Sequence, residues 1–370
     1  MATITVTPNG TDDTATLTAA KTTLLAAGGG TLRLRGTEFI TDPVVWSRDT
    51  YDTSIDVEIV GDFWGTRLRS LAGNAPTFVF QKCSDFSLRN IDVRGDEVGS
   101  LLLPYNGLRL LGCRRVVLEN VGGEGFFDIA FITGNIVDPL RVYPVGFEDA
   151  ATPSTHITWY HPNFQSAKND GIYLGYAQDV KMYSLVSAGC NGNVVESNAA
   201  SLYIYGADID DAGVNLISIK SSTSLCHLYD IVGASGVGGI AVDNTGQAVR
   251  GVKIVNPDIR SCTQSGIALD GTTAGNAFED VVIINPLLTG NSQYPTQDWG
   301  NLRVNLPGAA RRIESVKVFG GKLDGTSAAQ TVLHNLKAWE ADTVTLVGTV
   351  NTGATNQASV AGTVTAYSWT

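Results

Sequence analysis

Leu202-Tyr203-Ile204-Tyr205-Gly206, Cys226-His227-Leu228-Tyr229-Asp230, Val252-Lys253-Ile254-Val255-Asn256 and Val281-Val282-Ile283-Ile284-Asn285 are four copies of one pattern. In each, apolar residues at the first and third positions alternate with outward ones, the period of a half-buried strand. The fifth position is Gly, Asp or Asn, residues that suit a turn. Followed outward, the pattern recurs from Val57, Phe86, Val116, Ile157, Val180, Val316 and Val344, at intervals of 22 to 41 residues. A second short apolar strand stands upstream of many copies: 78–80, 108–110, 172–174, 240–242, 267–269 and 302–304. A βαβ unit needs about 30 or more residues with a helix between its strands. The shorter intervals here hold glycine, asparagine and the second strand, so the parallel strands are predicted to close a solenoid without crossover helices. The expected fold is all-β: a right-handed parallel β-helix of about eleven coils, a rod of roughly 50 Å at ~4.8 Å per coil.

One column supports this register. Gly61, Asn90, Asn120, His161, Ser184, Gly206, Asp230, Asn256, Asn285, Gly320 and Gly348 fall at the same place in successive copies. Most are residues that tolerate left-handed backbone, so the column predicts one stacked turn. Gly107, Gly171, Gly239 and Gly266 precede second strands, where positive φ is expected. A parallel stack exposes strand edges at its ends. Residues 14–27 carry Leu17, Ala20, Leu24 and Ala27 on one helical face and are expected to cap the rod. The division is 1–50 as N-terminal cap, 51–350 as β-helix and 351–370 as C-terminal cap or tail.

Composition narrows the partners. Among 370 residues the net charge is -11, and no basic cluster interrupts that field, which argues against a nucleic-acid partner. No run of 18 apolar residues is present, so no membrane insertion is expected, and the start lacks the pattern of a secretory leader. The cysteines Cys83, Cys113, Cys190, Cys226 and Cys262 lack zinc or disulfide spacing and read as buried thiols; the histidines form no ligand set. No cofactor or metal is expected.

The segment Gly10 to Leu17, followed by Gly28-Gly29-Gly30-Thr31-Leu32-Arg33-Leu34, resembles the opening of pectate-lyase-like β-helices, above all bacteriophage tail spikes. With the coils behind it the resemblance covers nearly the whole chain. It implies a homotrimeric tail spike or receptor-binding protein, made in the host cytoplasm without a leader. Such a protein engages host surface polysaccharide beside other tail proteins and in some cases cleaves it. The catalytic signatures of polygalacturonases and pectate lyases are missing, and Tyr205 to Asp210 is similar to an alginate-epimerase motif without its Asp-Pro-His core. A polysaccharide hydrolase, lyase or epimerase outside any phage, or a purely structural tail component, are the alternatives.

Outward positions supply the candidate sites. Tyr160, Tyr183, Tyr205 and Tyr229 occupy one column, with Tyr203 in the adjoining one. Aromatic rings with hydroxyl tips suit a sugar. The column continues as Val255, Ile284, Phe319 and Val347, an apolar stripe that points first to a subunit contact. For chemistry the plentiful acid–base groups are carboxylates. Asp208, Asp210 and Asp211, with Glu196 a coil earlier, match the flank carboxylates of cleaving tail spikes and are the first choice. Asp243 and Asp270, on successive coils beside Lys220 and Asn305, are the second choice. Their spacing of ~5 Å would suit a retaining glycosidase, though both also read as turn formers. Two long insertions, 122–155 and 289–312, bear Arg141, Tyr143, Glu148, Asp149, Tyr294, Asp298 and Trp299 and are further candidates.

Overall fold

The computed structural model describes residues 1–48, 53–62, 66–71, 76–94, 106–125, 129–133, 153–167, 170–175, 177–220, 225–244, 249–271, 277–293, 300–305, 312–313, 316–325, 334–339, 343–352, 356–361 and 366–369. Arg141, Tyr143, Glu148, Asp149, Tyr294, Asp298 and Trp299 lie outside them. The chain divides into two compact units, Met1–Gly192 and Asn193–Thr370.

Each unit is a parallel β-helix. In the first, the main strands Ala2–Val6, Gly30–Leu34, Thr53–Gly61, Cys83–Arg94, Arg114–Glu124, Ser154–Tyr160 and Ala177–Ala188 run parallel. Their register is the one the pattern predicts, with Phe86 opposite Val116, Val116 opposite Ile157 and Ile157 opposite Val180. A second sheet holds Val44–Ser47, Phe78–Gln81, Asn106–Leu111, Ile129–Thr133 and Ile172–Leu174. The second unit repeats the plan, its first sheet running from Ser201–Asp210 through Leu225–Ala234 to Ala366–Trp369. Its second sheet runs from Val195–Ser197 to Asn356–Ala361. Parallel rungs therefore also occur within residues 1–50 and 351–370.

The turn column bends first-sheet strands such as Cys83–Arg94 and Arg114–Glu124 into two arms. Asn90, Asn120, His161, Ser184, Asp230, Asn256 and Asn285 have φ between 48° and 57°, and Gly206, Gly320 and Gly348 are also left-handed. The amides join into ladders: Asn120 donates to Asn90 at 2.9 Å in the first unit. In the second unit Asn256 donates to Asp230 at 2.9 Å and Asn285 to Asn256 at 3.3 Å. Gly61 departs from the column, its φ not being positive; there a Cβ would collide with the Asn90 carbonyl, so crowding fixes the glycine. Gly239 and Gly266 likewise lack the expected positive φ. A Cβ on Gly239 would strike the Gly266 carbonyl and one on Gly266 the Asn291 amide. Two further left-handed columns lie on either side: Asp85, Arg115, His156, Asp179 and Asp280 before the first arm, and Ser166, Asp211, Ser235 and Ser261 after the second.

Inward positions form the cores. Phe80 stacks on Phe86 at 4.3 Å and on Trp46 at 5.9 Å in the first unit, and Leu202, Leu228, Ile254 and Ile283 are fully buried in the second. Burial of such a side chain is worth about 1.5–3 kcal/mol. All five cysteines are buried and free. The helix Thr14–Ala26 packs Leu17, Ala20 and Leu24 against the strands Ala2–Val6, Gly30–Leu34 and Val44–Ser47. Ala27 is exposed, because the helix ends before it.

Candidate active site

In the first unit the outward residues Val79 and Arg109 of the second sheet are fully buried, while Val45 and Tyr173 are half-buried. In the second unit the same face opens as a groove. Its floor is one outward column of small side chains, Ser218, Ala241 and Ala268, in register on Asn215–Ile219, Gly238–Asn244 and Ile267–Gly271. Arg303, opposite Ala268 on Leu302–Asn305, closes one end. Glu196 continues the column at the other end, opposite Ser218, with its Oε2 accepting from Asn193 at 2.8 Å. Along one wall stand Lys220, Asp243 and Asp270; Asn215, Gln264 and Ser265 stand along the other. The groove encloses about 150 Å³.

Asp243 and Asp270 are direct register partners, on strands about 4.8 Å apart. Their surroundings differ. Burial pushes the Asp243 carboxyl up from its ordinary range, against the pull of Lys220, whose Nζ stands 3.8 Å away. The Asp243 Oδ1 is buried with no hydrogen-bond partner among the described residues. Asp270 instead meets the Arg303 guanidinium at 2.9 Å, and an adjacent opposite charge favours the ionised carboxylate. Burial pulls Arg303 down, and Asp270 opposes that pull. One carboxyl is thus biased toward holding a proton while its neighbour carries a countercharge.

The acidic group Asp208, Asp210 and Asp211 is placed differently. Asp208 and Asp210 are exposed on the far arm of Ser201–Asp210, alternating with buried Ala207 and Ile209. Asp211 is a left-handed turn residue with φ 53°, its N–H donating to the Ala234 carbonyl at 3.1 Å. Glu196 stands on the second sheet, in line with the groove rather than with these three.

The tyrosines pair as the column predicts, but ring on ring. Tyr160 stacks on Tyr183 at 5.1 Å, and Tyr205 on Tyr229 at 5.1 Å with 5° between planes. Tyr203 lies parallel to Tyr205 at 6.4 Å, His227 meets Tyr203 edge-on at 5.4 Å, and the Lys253 Nζ covers Tyr229 at 5.7 Å. Within each pair the facing sides of the rings are occupied by one another, and the Tyr229 hydroxyl lies 3.5 Å from His227 Nδ1. From Tyr229 the column continues through Val255, Ile284, Phe319 and Val347 in register, the last two each 40% exposed. No group of three or more metal-ligating side chains occurs among the described residues.

No family model and no curated protein matches the chain. Solved structures do. The A-module of mannuronan C-5 epimerase AlgE4 from Azotobacter vinelandii superposes over 98% of this chain and 97% of its own, with a TM-score of 0.72 at 14% identity. This chain has the parallel β-helix fold. The AlgE6 A-module of the same organism gives 0.69 at 15% identity, over 96% of this chain and 94% of its own. A galactohydrolase acting on a sulfated galactose–anhydrogalactose polymer gives 0.53 at 12% identity, over 99% of this chain and 92% of its own.

The sequence missed Arg303 as a member of the site, although its place was legible. It is the outward residue of the predicted strand 302–304, two positions before Asn305 in the column beside the carboxylates.

Proposed function

We propose that the protein acts on a polysaccharide and that the groove of the second unit hydrolyses it, with Asp243 as general acid and Asp270 as the ionised partner. The observation that carries this reading is the in-register carboxylate pair with unlike surroundings, one raised by burial and the other held by Arg303. Glycoside hydrolysis needs that asymmetry: a protonated acid for the leaving oxygen and a carboxylate for the anomeric carbon. Side chains on strands about 4.8 Å apart suit the separation of about 5 Å used for retention of configuration. The activities of the fold neighbours, epimerisation of mannuronan and hydrolysis of a sulfated galactose–anhydrogalactose chain, support a glycan as substrate.

The test is release of reducing ends from mannuronan, α-1,3-glucan, sulfated galactan and bacterial capsular polysaccharides. Asp243→Asn and Asp270→Asn should each lower release at least a hundredfold, with Asp208→Asn and Asp210→Asn unaffected. Loss confined to the latter pair moves the chemistry to the acidic group of Asp208, Asp210, Asp211 and Glu196. Unsaturated products would instead mark a lyase, and altered sugar configuration at constant chain length an epimerase.

A finer placement, as a homotrimeric spike on a bacteriophage tail engaging host polysaccharide, is supported by the N-terminal resemblance and by the apolar column from Val255 to Val347. Three-fold symmetry lets one stripe serve every contact. Light scattering that gives a stable monomer at micromolar concentration overturns the trimer.

A further inference from the structure

The first unit carries a cleft that the groove of the second does not use. On the far arm of its first sheet, Arg67, Asp92, Gly122 and Asn163 form one outward column on successive coils, and Arg69, Arg94, Glu124 and Gln165 the next. Gly122 places no side chain between Asp92 and Asn163, and a Cβ there would strike the Asn163 carbonyl, so the gap is built into the coil spacing. The result is a cleft of about 220 Å³, edged by Asn90, Asn120 and His161 of the turn column.

Its lining is rich in groups that exchange hydrogen bonds with hydroxyls. Asn120 donates to Asn90, yet its own Oδ1 is buried without a partner among the described residues. Asp92 is pushed up to about 6, first by burial and then by Glu124, against the pull of Arg67 and Arg94. A strongly shifted carboxyl in a cleft is a mark of a functional site. Arg67 lines the cleft with the carboxyls Asp92 and Glu124 and with His161 at the edge; Arg94 of the adjoining column also acts on Asp92, and Arg69 is paired with Glu38, so charge is close to balanced, which favours a neutral ligand over an ion. The volume is below the ~300 Å³ at which pockets for larger ligands begin.

We propose that this cleft is a second saccharide-binding site, taking one neutral glycosyl residue through hydrogen bonds from Arg67, Asp92, Asn163 and Gln165 to its hydroxyls. The inference rests on the reading of the chain as polysaccharide-active, but on different residues in a different unit.

The experiment titrates neutral glucose, galactose and mannose oligosaccharides into the intact protein and follows backbone amide shifts in both places. The arms are wild type, Asn163→Ala/Gln165→Ala, the near-isosteric Asp92→Asn, and Asp270→Asn. Asn163 and Gln165 are exposed, so the double variant leaves the core intact, and circular dichroism checks it. At least one sugar should move amides at 91–94, 122–125 and 163–165. The double variant and Asp92→Asn should each weaken that response at least tenfold, and Asp270→Asn should leave it unchanged. If groove amides respond and cleft amides do not, or if both cleft variants bind as wild type, the second site is overturned while the groove reading stands. Response at the cleft alone overturns the groove reading instead. Silence at both places for every sugar overturns the second site outright.

Discussion

Replacing Asp92 by Asn should stabilise the first unit above pH ~6 and change little below its ordinary value of 3.8. The folded protein holds the Asp92 proton more tightly than the unfolded chain does. Stability is therefore fully present below 3.8 and is lost as pH rises through about 6. That rise in the folded value corresponds, at about 1.4 kcal/mol per unit, to roughly 3 kcal/mol. Asn cannot ionise, so the variant escapes the loss, at about 2–4 °C of Tm per kcal/mol for a cooperative unit of this size. The groups facing Asp92 are Glu124, Arg67, Arg94 and His161, and of these Glu124 adds to the shift while both arginines reduce it. Calorimetry of both proteins from about pH 3 to about pH 8 should show Tm values converging at the acid end and separating by roughly 6–12 °C at the alkaline end. Carbon-13 NMR of the Asp92 carboxyl should titrate near 6. A Tm difference independent of pH, or a carboxyl midpoint near 3.8, would refute the reasoning.

Asn256→Ala should cost about 2–3 kcal/mol in urea unfolding, because it places a Cβ-bearing residue without a polar side chain at φ 51° and removes two ladder hydrogen bonds; Asn256→Gly should cost less. Cys83, Cys226 and Cys262, pushed up to about 12 by burial, should resist a thiol reagent in the native protein and react on denaturation. Tyr205→Ala/Tyr229→Ala removes one stacked pair without touching the core. If the column is a subunit contact, light scattering should show dissociation, and if it binds glycan, affinity should fall at constant mass.

The fold was legible because one residue per coil advertised it. Asn90, Asn120, Asn256 and Asn285 are turn residues both by type and by backbone, and the strand register followed from counting between them. The other two left-handed columns were only partly legible: Asp85, Asp179, Asp211 and Asp280 are types that tolerate positive φ, but Arg115, Ser166, Ser235 and Ser261 are not, so neither column could be counted through. Gly239 and Gly266 announced the wrong cause, since crowding by the next coil and positive φ call for the same residue. The site was half legible. The register of Asp243 and Asp270 could be counted, but their unlike surroundings depend on Lys220 and Arg303 from different coils, which no local pattern reports. The tyrosine column was counted correctly too. What counting could not give is ring orientation, and stacking at 5.1 Å leaves a sugar the edges and hydroxyls rather than the faces between paired rings.

Groove and cleft share a cause that follows from how a solenoid is built. Outward side chains of adjacent coils stand about 4.8 Å apart, so a column of ordinary residues closes over itself and leaves a flat surface. Space appears only where a column drops its side chains. Ser218, Ala241 and Ala268 do this along the groove, and Gly122 does it in the cleft. In both places a carboxylate borders the gap, Asp243 in one and Asp92 in the other, and in both burial is the first cause of its raised pKa. The walls of the gap remove water from one side of the carboxylate, while a cation near by, Lys220 or Arg67, only partly offsets that loss. A short side chain next to an acidic one in the same or adjoining outward column is thus the pattern to look for on a parallel β-helix. Asp210 also has a short neighbour in its column, Ala234, so burial is what separates Asp243 and Asp92 from Asp208 and Asp210, which are exposed and border neither gap.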